Sequence, residues 1–76
     1  MDINKFIAHF AEQFDDTPMD AFQADTKFRE IEEWDSLSAL SVIAMIDEEY
    51  EIQITGADIR SISTIKELFD LVSAKS

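Results

Sequence analysis

The chain has no cysteine, one glycine, one proline and one histidine. Without cysteine it forms no disulfide, no thiolate metal site and no thiol nucleophile of its own. With His9 alone, one chain cannot assemble a multi-histidine metal centre. The scarcity of glycine and proline, with 46% apolar residues, excludes a flexible linker and points to a compact helical domain. No apolar run approaches the length of a membrane span. The opening MDINKF has neither a basic n-region nor an apolar h-region, so no signal peptide is expected and the cytoplasm is the expected location. Basic residues are also few: six against seventeen acids, for a net charge of −11. Nucleic acid is therefore not an expected partner, because phosphate neutralisation needs Lys and Arg. A basic protein surface would instead be attracted.

The acidity is uneven. Residues 28–51 hold eight acids (Glu30, Glu32, Glu33, Asp35, Asp47, Glu48, Glu49, Glu51) against one base, Arg29. Residues 52–76 are balanced, with Asp58, Glu67 and Asp70 against Arg60, Lys66 and Lys75. A solvated acidic face that aids solubility is the plainest reading of this charge.

At 76 residues the chain is expected to be a single domain, 1–76, with a modest core and no spare length for a deep catalytic cleft. Ile3, Phe6, Ile7, Phe10 and Phe14 share one helical face, predicting a helix over 3–14 with Asp2 as its N-cap and His9 toward solvent. Residues 15–35 show no periodicity and read as a long loop, pinned to the core by Phe28 and Ile31, with a helical turn near 19–23. Ala39, Val42, Ile43, Ile46 and Tyr50 define the buried stripe of a second helix over 36–50. Leu37, Leu40 and Ala44 lie on a different face, continued by Asp47 and Glu48. That second stripe fits either a neighbouring helix or an outside partner. EIQI (51–54) reads as an extended segment anchored by Ile52 and Ile54. A short helix follows over 55–62, capped by Thr55, with Ile59 and Ile62 facing inward. Thr64 and Glu67 have capping-box spacing before a last helix carrying Ile65, Leu68, Phe69 and Val72. The expected fold is all-α: a small four-helix bundle of three longer helices and one short one, with a long loop between the first two.

The segment EEWDSLSAL (32–40) places Asp35 and Ser36 at the start of the second helix, where unpaired N–H groups favour negative charge. Either residue could simply cap the helix. A phosphomonoester on Ser36 would meet the like charge of Asp35, whereas a singly charged phosphodiester would meet less repulsion.

WDSL with its serine opening a helix resembles the attachment motif of acyl carrier proteins, and the resemblance extends along nearly the whole chain. It takes in the amphipathic first helix, the long loop with Phe28 before the motif, the acidic cluster of MIDEEYEIQI, the short third helix and the capped last one. The resemblance implies that Ser36 carries 4′-phosphopantetheine through a phosphodiester, installed from coenzyme A by a phosphopantetheinyl transferase. The terminal thiol of that arm would hold acyl groups as thioesters, so the reactive sulfur is imported. The chain itself would not be an enzyme, and no metal is implied. Asp35, Leu37, Leu40, Ala44, Asp47 and Glu48 match positions that dock onto basic patches of acyl-loading, ketosynthase or acyltransferase partners in fatty-acid, polyketide or other specialised pathways. A monomer is expected. Ala39, Ile43, Ile46, Ile54, Ile59 and Ile62 would line the bundle interior, as ordinary core or around a short acyl chain.

The sequence departs from the family in places. Trp34 and its two preceding glutamates stand where many carriers have a glycine, and Ser38 and Ser41 stand where carriers of bulk fatty-acid synthesis often have acids. Both departures favour a free-standing carrier of a specialised pathway. The glycine-rich, histidine-containing motif of peptidyl carriers is absent. The contrasting reading is a cofactor-free acidic helical module that docks a basic partner, with Ser36 only a cap. A calcium loop starting at Asp47 fails, because Ile52 and Asp58 stand where glycine and glutamate are needed.

Overall fold

The computed structural model describes residues 2–76. Four helices follow in order: α1 (Ile3–Ala11), α2 (Ser36–Tyr50), α3 (Gly56–Arg60) and α4 (Ile65–Lys75). Two 3₁₀ turns, Met19–Ala21 and Phe28–Glu30, punctuate the α1–α2 loop. No strand forms among the described residues; EIQI, expected to be extended, opens on the left-handed Glu51 and has no regular structure between α2 and α3. The all-α bundle expected from periodicity is the observed fold.

Each helix start has a local chemical cause. Asp2 caps α1 by accepting from the Asn4 N–H. Thr55 with Asp58, and Thr64 with Glu67, form complete capping boxes at α3 and α4. Their backbone N–H donors hold the Asp58 and Glu67 carboxyls below the ordinary range: Thr55 for Asp58, and Ser63 with Thr64 for Glu67. α2 ends where Glu51 adopts a left-handed conformation (φ 55°, ψ 37°), returning its N–H to the Asp47 carbonyl.

Phe6, Phe10, Phe28, Val42, Ile46, Ile65, Leu68 and Val72 are fully buried, so α1, α2, α4 and the loop all contribute to one core. α1 is shorter than its apolar pattern. It ends at Ala11, and Phe14 reaches the core from the turn beyond. His9 is half-buried rather than turned to solvent, because its ring packs edge-on against Tyr50 at 5.9 Å. On α2 the buried residues are Val42, Met45 and Ile46, while Ala39, Ile43 and Tyr50 are only half-buried. Met45 escaped the stripe assignment because it lies between the two faces.

The α1–α2 loop is packed by its own side chains. Phe28 is fully buried as expected, Ile31 packs half-buried against the core, and Phe22 takes a core position against Phe10 and Phe14. Phe10, Phe14, Phe22, Phe28 and Trp34 form one aromatic cluster, with Trp34 4.8 Å from Phe28 and parallel to Phe10 at 6.4 Å. The loop backbone also pairs with the α3–α4 junction. Phe28 N–H donates to Ser63 O, Ile65 N–H to Thr26 O and Lys66 N–H to Ala24 O. Arg29 adds a hydrogen bond to the Ile59 carbonyl at the end of α3, 3.0 Å away. These contacts satisfy backbone groups that a long loop would otherwise leave to water.

Candidate functional site

The start of α2 is built from the cap outward. Asp35 has extended backbone geometry and is the N-cap; its carboxylate accepts from the Ser38 N–H at 2.8 Å and lies 3.0 Å from the Ser38 hydroxyl. The Ser38 N–H bond, followed by the hydroxyl, pulls the Asp35 carboxyl below the ordinary range. Asp35 therefore performs the capping, and the cap role left open for Ser36 falls away.

Ser36 occupies the first helical position. It is exposed, and its hydroxyl makes no hydrogen bond to the described residues. Ser38, two positions on, is half-buried with its hydroxyl engaged by Glu33 and Asp35. Ser41 is exposed but lies in the second turn, away from the positive end of the helix. Among the three serines here, Ser36 alone combines exposure, an uncommitted hydroxyl and a place at the helix terminus.

The second face of α2 is uncovered. Leu37 is 72% exposed and Leu40 61% exposed, and Ala44, Asp47 and Glu48 are exposed beside them. No neighbouring helix among the described residues covers this stripe. Two large leucines left in water on a helix with no basic residue make a mixed apolar and acidic surface. Along its flank runs an open groove of about 330 Å³, lined by Leu40, Ile43, Ala44, Asp47, Gln53, Ile54 and Thr55. Of the interior residues singled out from the sequence, Ile46, Ile54 and Ile59 are tightly buried core, and Ile43 and Ile54 also border the groove. No cluster of three or more acidic or histidine side chains suited to hold a metal ion occurs among the described residues.

The family model for the phosphopantetheine attachment site matches residues 4–72, which is nine-tenths of the chain. The chain belongs to that family. Members of the phosphopantetheine-attachment family carry 4′-phosphopantetheine covalently on a serine, and as carriers they work with partner enzymes. The open mouth of α2 suits the group: an exposed serine hydroxyl at a helix N-terminus has room for a phosphodiester and lies in a field that favours one negative charge. No curated protein and no solved structure matches the chain. No helix among the described residues is long and apolar enough to cross a membrane.

Sequence reasoning did not foresee the roles of Glu33 and Ser38 around the start of α2. The signal was weak. Glu33 is one of three closely spaced glutamates, and what sets it apart is a contact seventeen residues back along the chain.

Proposed function

We propose that the chain is an acyl carrier protein that holds acyl intermediates as thioesters on a 4′-phosphopantetheine arm attached to Ser36. The observation that supports this most is the exposed, uncommitted Ser36 hydroxyl behind the Asp35 cap. In loading, Ser36 Oγ bonds to phosphorus of coenzyme A. The phosphoanhydride bond breaks, adenosine 3′,5′-bisphosphate leaves, and the hydroxyl proton passes to the transferase. When bound, the arm supplies the thiol that carries the acyl group, and the chain's own residues present and orient it.

Asp35, Leu37, Leu40, Ala44, Asp47 and Glu48 form the docking face in this reading. Leu37 and Leu40 supply apolar contact, and Asp47 and Glu48 steer the approach of a basic patch on acyl-loading, ketosynthase or acyltransferase partners. The groove beside α2 is where a short acyl chain would rest. The weaker negative charge of the α2 front half, with Ser38 and Ser41, favours partners from a specialised pathway.

The test is intact mass after incubation with coenzyme A, magnesium and a broad-specificity phosphopantetheinyl transferase. The expected result is a gain of one phosphopantetheine in the wild type and none in Ser36→Ala. A folded wild type that gains nothing would leave the cofactor-free docking module as the reading.

A further inference from the structure

Two residues tie the attachment segment to the rest of the molecule. The Glu33 carboxylate accepts from the Asp16 N–H at 2.9 Å and from the Thr17 hydroxyl, so it grips the turn that follows α1. The Glu33 carbonyl lies 3.1 Å from the Ser38 hydroxyl in the first turn of α2. The same hydroxyl lies 3.0 Å from the Asp35 carboxylate. A serine hydroxyl has one proton, so these two acceptors share it. Glu33 thus holds Thr17 through its carboxylate and Ser38 through its backbone carbonyl, and Ser38 in turn holds Asp35, so that these contacts flank Trp34 and run up to Ser36. Trp34 contributes no side-chain hydrogen bond to them and is fixed instead by stacking on Phe10, Phe14 and Phe28.

We propose that Glu33 and Ser38, latched to Thr17, are positioning residues for cofactor loading. They hold Asp35, Ser36 and Leu37 in the single conformation that a transferase accepts. This rests on the reading that Ser36 is the loaded residue. The physical argument concerns populations. Residues 31–35 precede a helix and have no regular structure of their own, so without the latch the segment samples several conformations. Loading then proceeds only from the competent fraction, and apparent affinity falls by that fraction. Ser38 is thus more than an absent acid: its hydroxyl joins cap and loop, which a carboxylate at that position could not do by donation.

The experiment measures loading kinetics on the full chain with coenzyme A and a broad-specificity transferase, alongside circular dichroism and urea midpoints. Ser38→Ala and Thr17→Val should each raise KM for the carrier about fivefold, the factor matching one ordinary net hydrogen bond, and Glu33→Leu, which loses two, should raise it further, with kcat unchanged in all three. Ser38→Thr, Thr17→Ser and Glu33→Gln retain the required donor or acceptor and should load like wild type. Thr17→Val and Ser38→Ala do not touch each other, so independent effects would multiply. Action through Glu33 makes the double variant lose less than the product. Amide exchange at Ser38 and Ala39 should quicken in the same variants, a readout that does not depend on loading. Unchanged KM and exchange in folded variants, or strictly multiplicative effects, would overturn the latch while leaving Ser36 as the attachment site. Loading that fails in the wild type, or persists in Ser36→Ala, would overturn both.

Discussion

Replacing Phe28 by alanine should destabilise the protein severely. Phe28 lies in a loop, where substitutions are ordinarily mild, yet it is fully buried and in aromatic contact with Phe10 and Trp34. The Arg29 guanidinium sits 5.4 Å from the centre of its ring. Truncating a buried phenylalanine costs about 3–5 kcal/mol in transfer and cavity terms. A chain of this length has roughly 4–11 kcal/mol of stability in total. The substitution thus removes between about a quarter and all of the stability. With a urea m-value of about 1 kcal/mol/M for so small a domain, the midpoint should fall by about 3 M or more. Phe28→Leu keeps most of the volume and should lose only about 1–1.5 kcal/mol. Trp34 is the sole tryptophan and borders the same cavity, so its emission reports unfolding directly. It should also shift to the red in any Phe28→Ala fraction that remains folded. A loss below about 1 kcal/mol with unchanged Trp34 emission would refute the reasoning, because the loop would then be held without its ring.

Glu51→Gly should stabilise the protein by about 0.5–1 kcal/mol, read as a higher urea midpoint, since glycine adopts the left-handed C-terminal conformation of α2 without the Cβ clash; a lower midpoint would mean that the Glu51 side chain contributes more than its backbone costs. The carboxyls of Asp35, Asp58 and Glu67 are held below their ordinary values of 3.8, 3.8 and 4.5, so their stabilisation is complete above those values and is lost as pH falls through the lowered ones. An Asp58→Asn, Glu67→Gln variant should therefore lose less stability than wild type between pH 4.5 and pH 2, and equal acid losses would sink the argument. Leu37→Ala and Leu40→Ala should each leave stability within about 0.5 kcal/mol, given their exposure of 72% and 61%. On the proposed docking face, the same pair should weaken turnover of the loaded carrier by an acyl-accepting enzyme by about fivefold or more, the effect of losing an interface contact of about 1 kcal/mol.

The helices were legible in the sequence because their signals are local. Asp2, Thr55 with Asp58, and Thr64 with Glu67 announce three helix starts within a few residues each, and the structure uses them all. Ser36 as the exposed first residue of α2 was legible for the same reason. The loop was not, because its order comes from distant partners. Phe22 packs on Phe10 and Phe14, Trp34 on three phenylalanines, and residues 24–28 on the α3–α4 junction. None of these pairings has a period. His9 was misplaced for a related reason: its half-burial depends on Tyr50, more than forty residues away.

α2 shows why weak amphipathicity is itself informative. Its buried side is Val42, Met45 and Ile46, and Leu37, Leu40 and Ala44 stand in water on another side. A helix that served only the core would place polar residues there, because exposed leucines do nothing for folding and invite association. Its N-terminal end is fastened by Asp35, Glu33 and Ser38, while Ser36 between them is left without a partner. A cap that is only a cap needs Asp35 and nothing more. On the reading proposed above, the additional hydrogen bonds around an uncommitted hydroxyl make sense because that hydroxyl must be offered to a transferase in one geometry. The aromatic loop then serves as the rigid support against which the offering end of α2 is held.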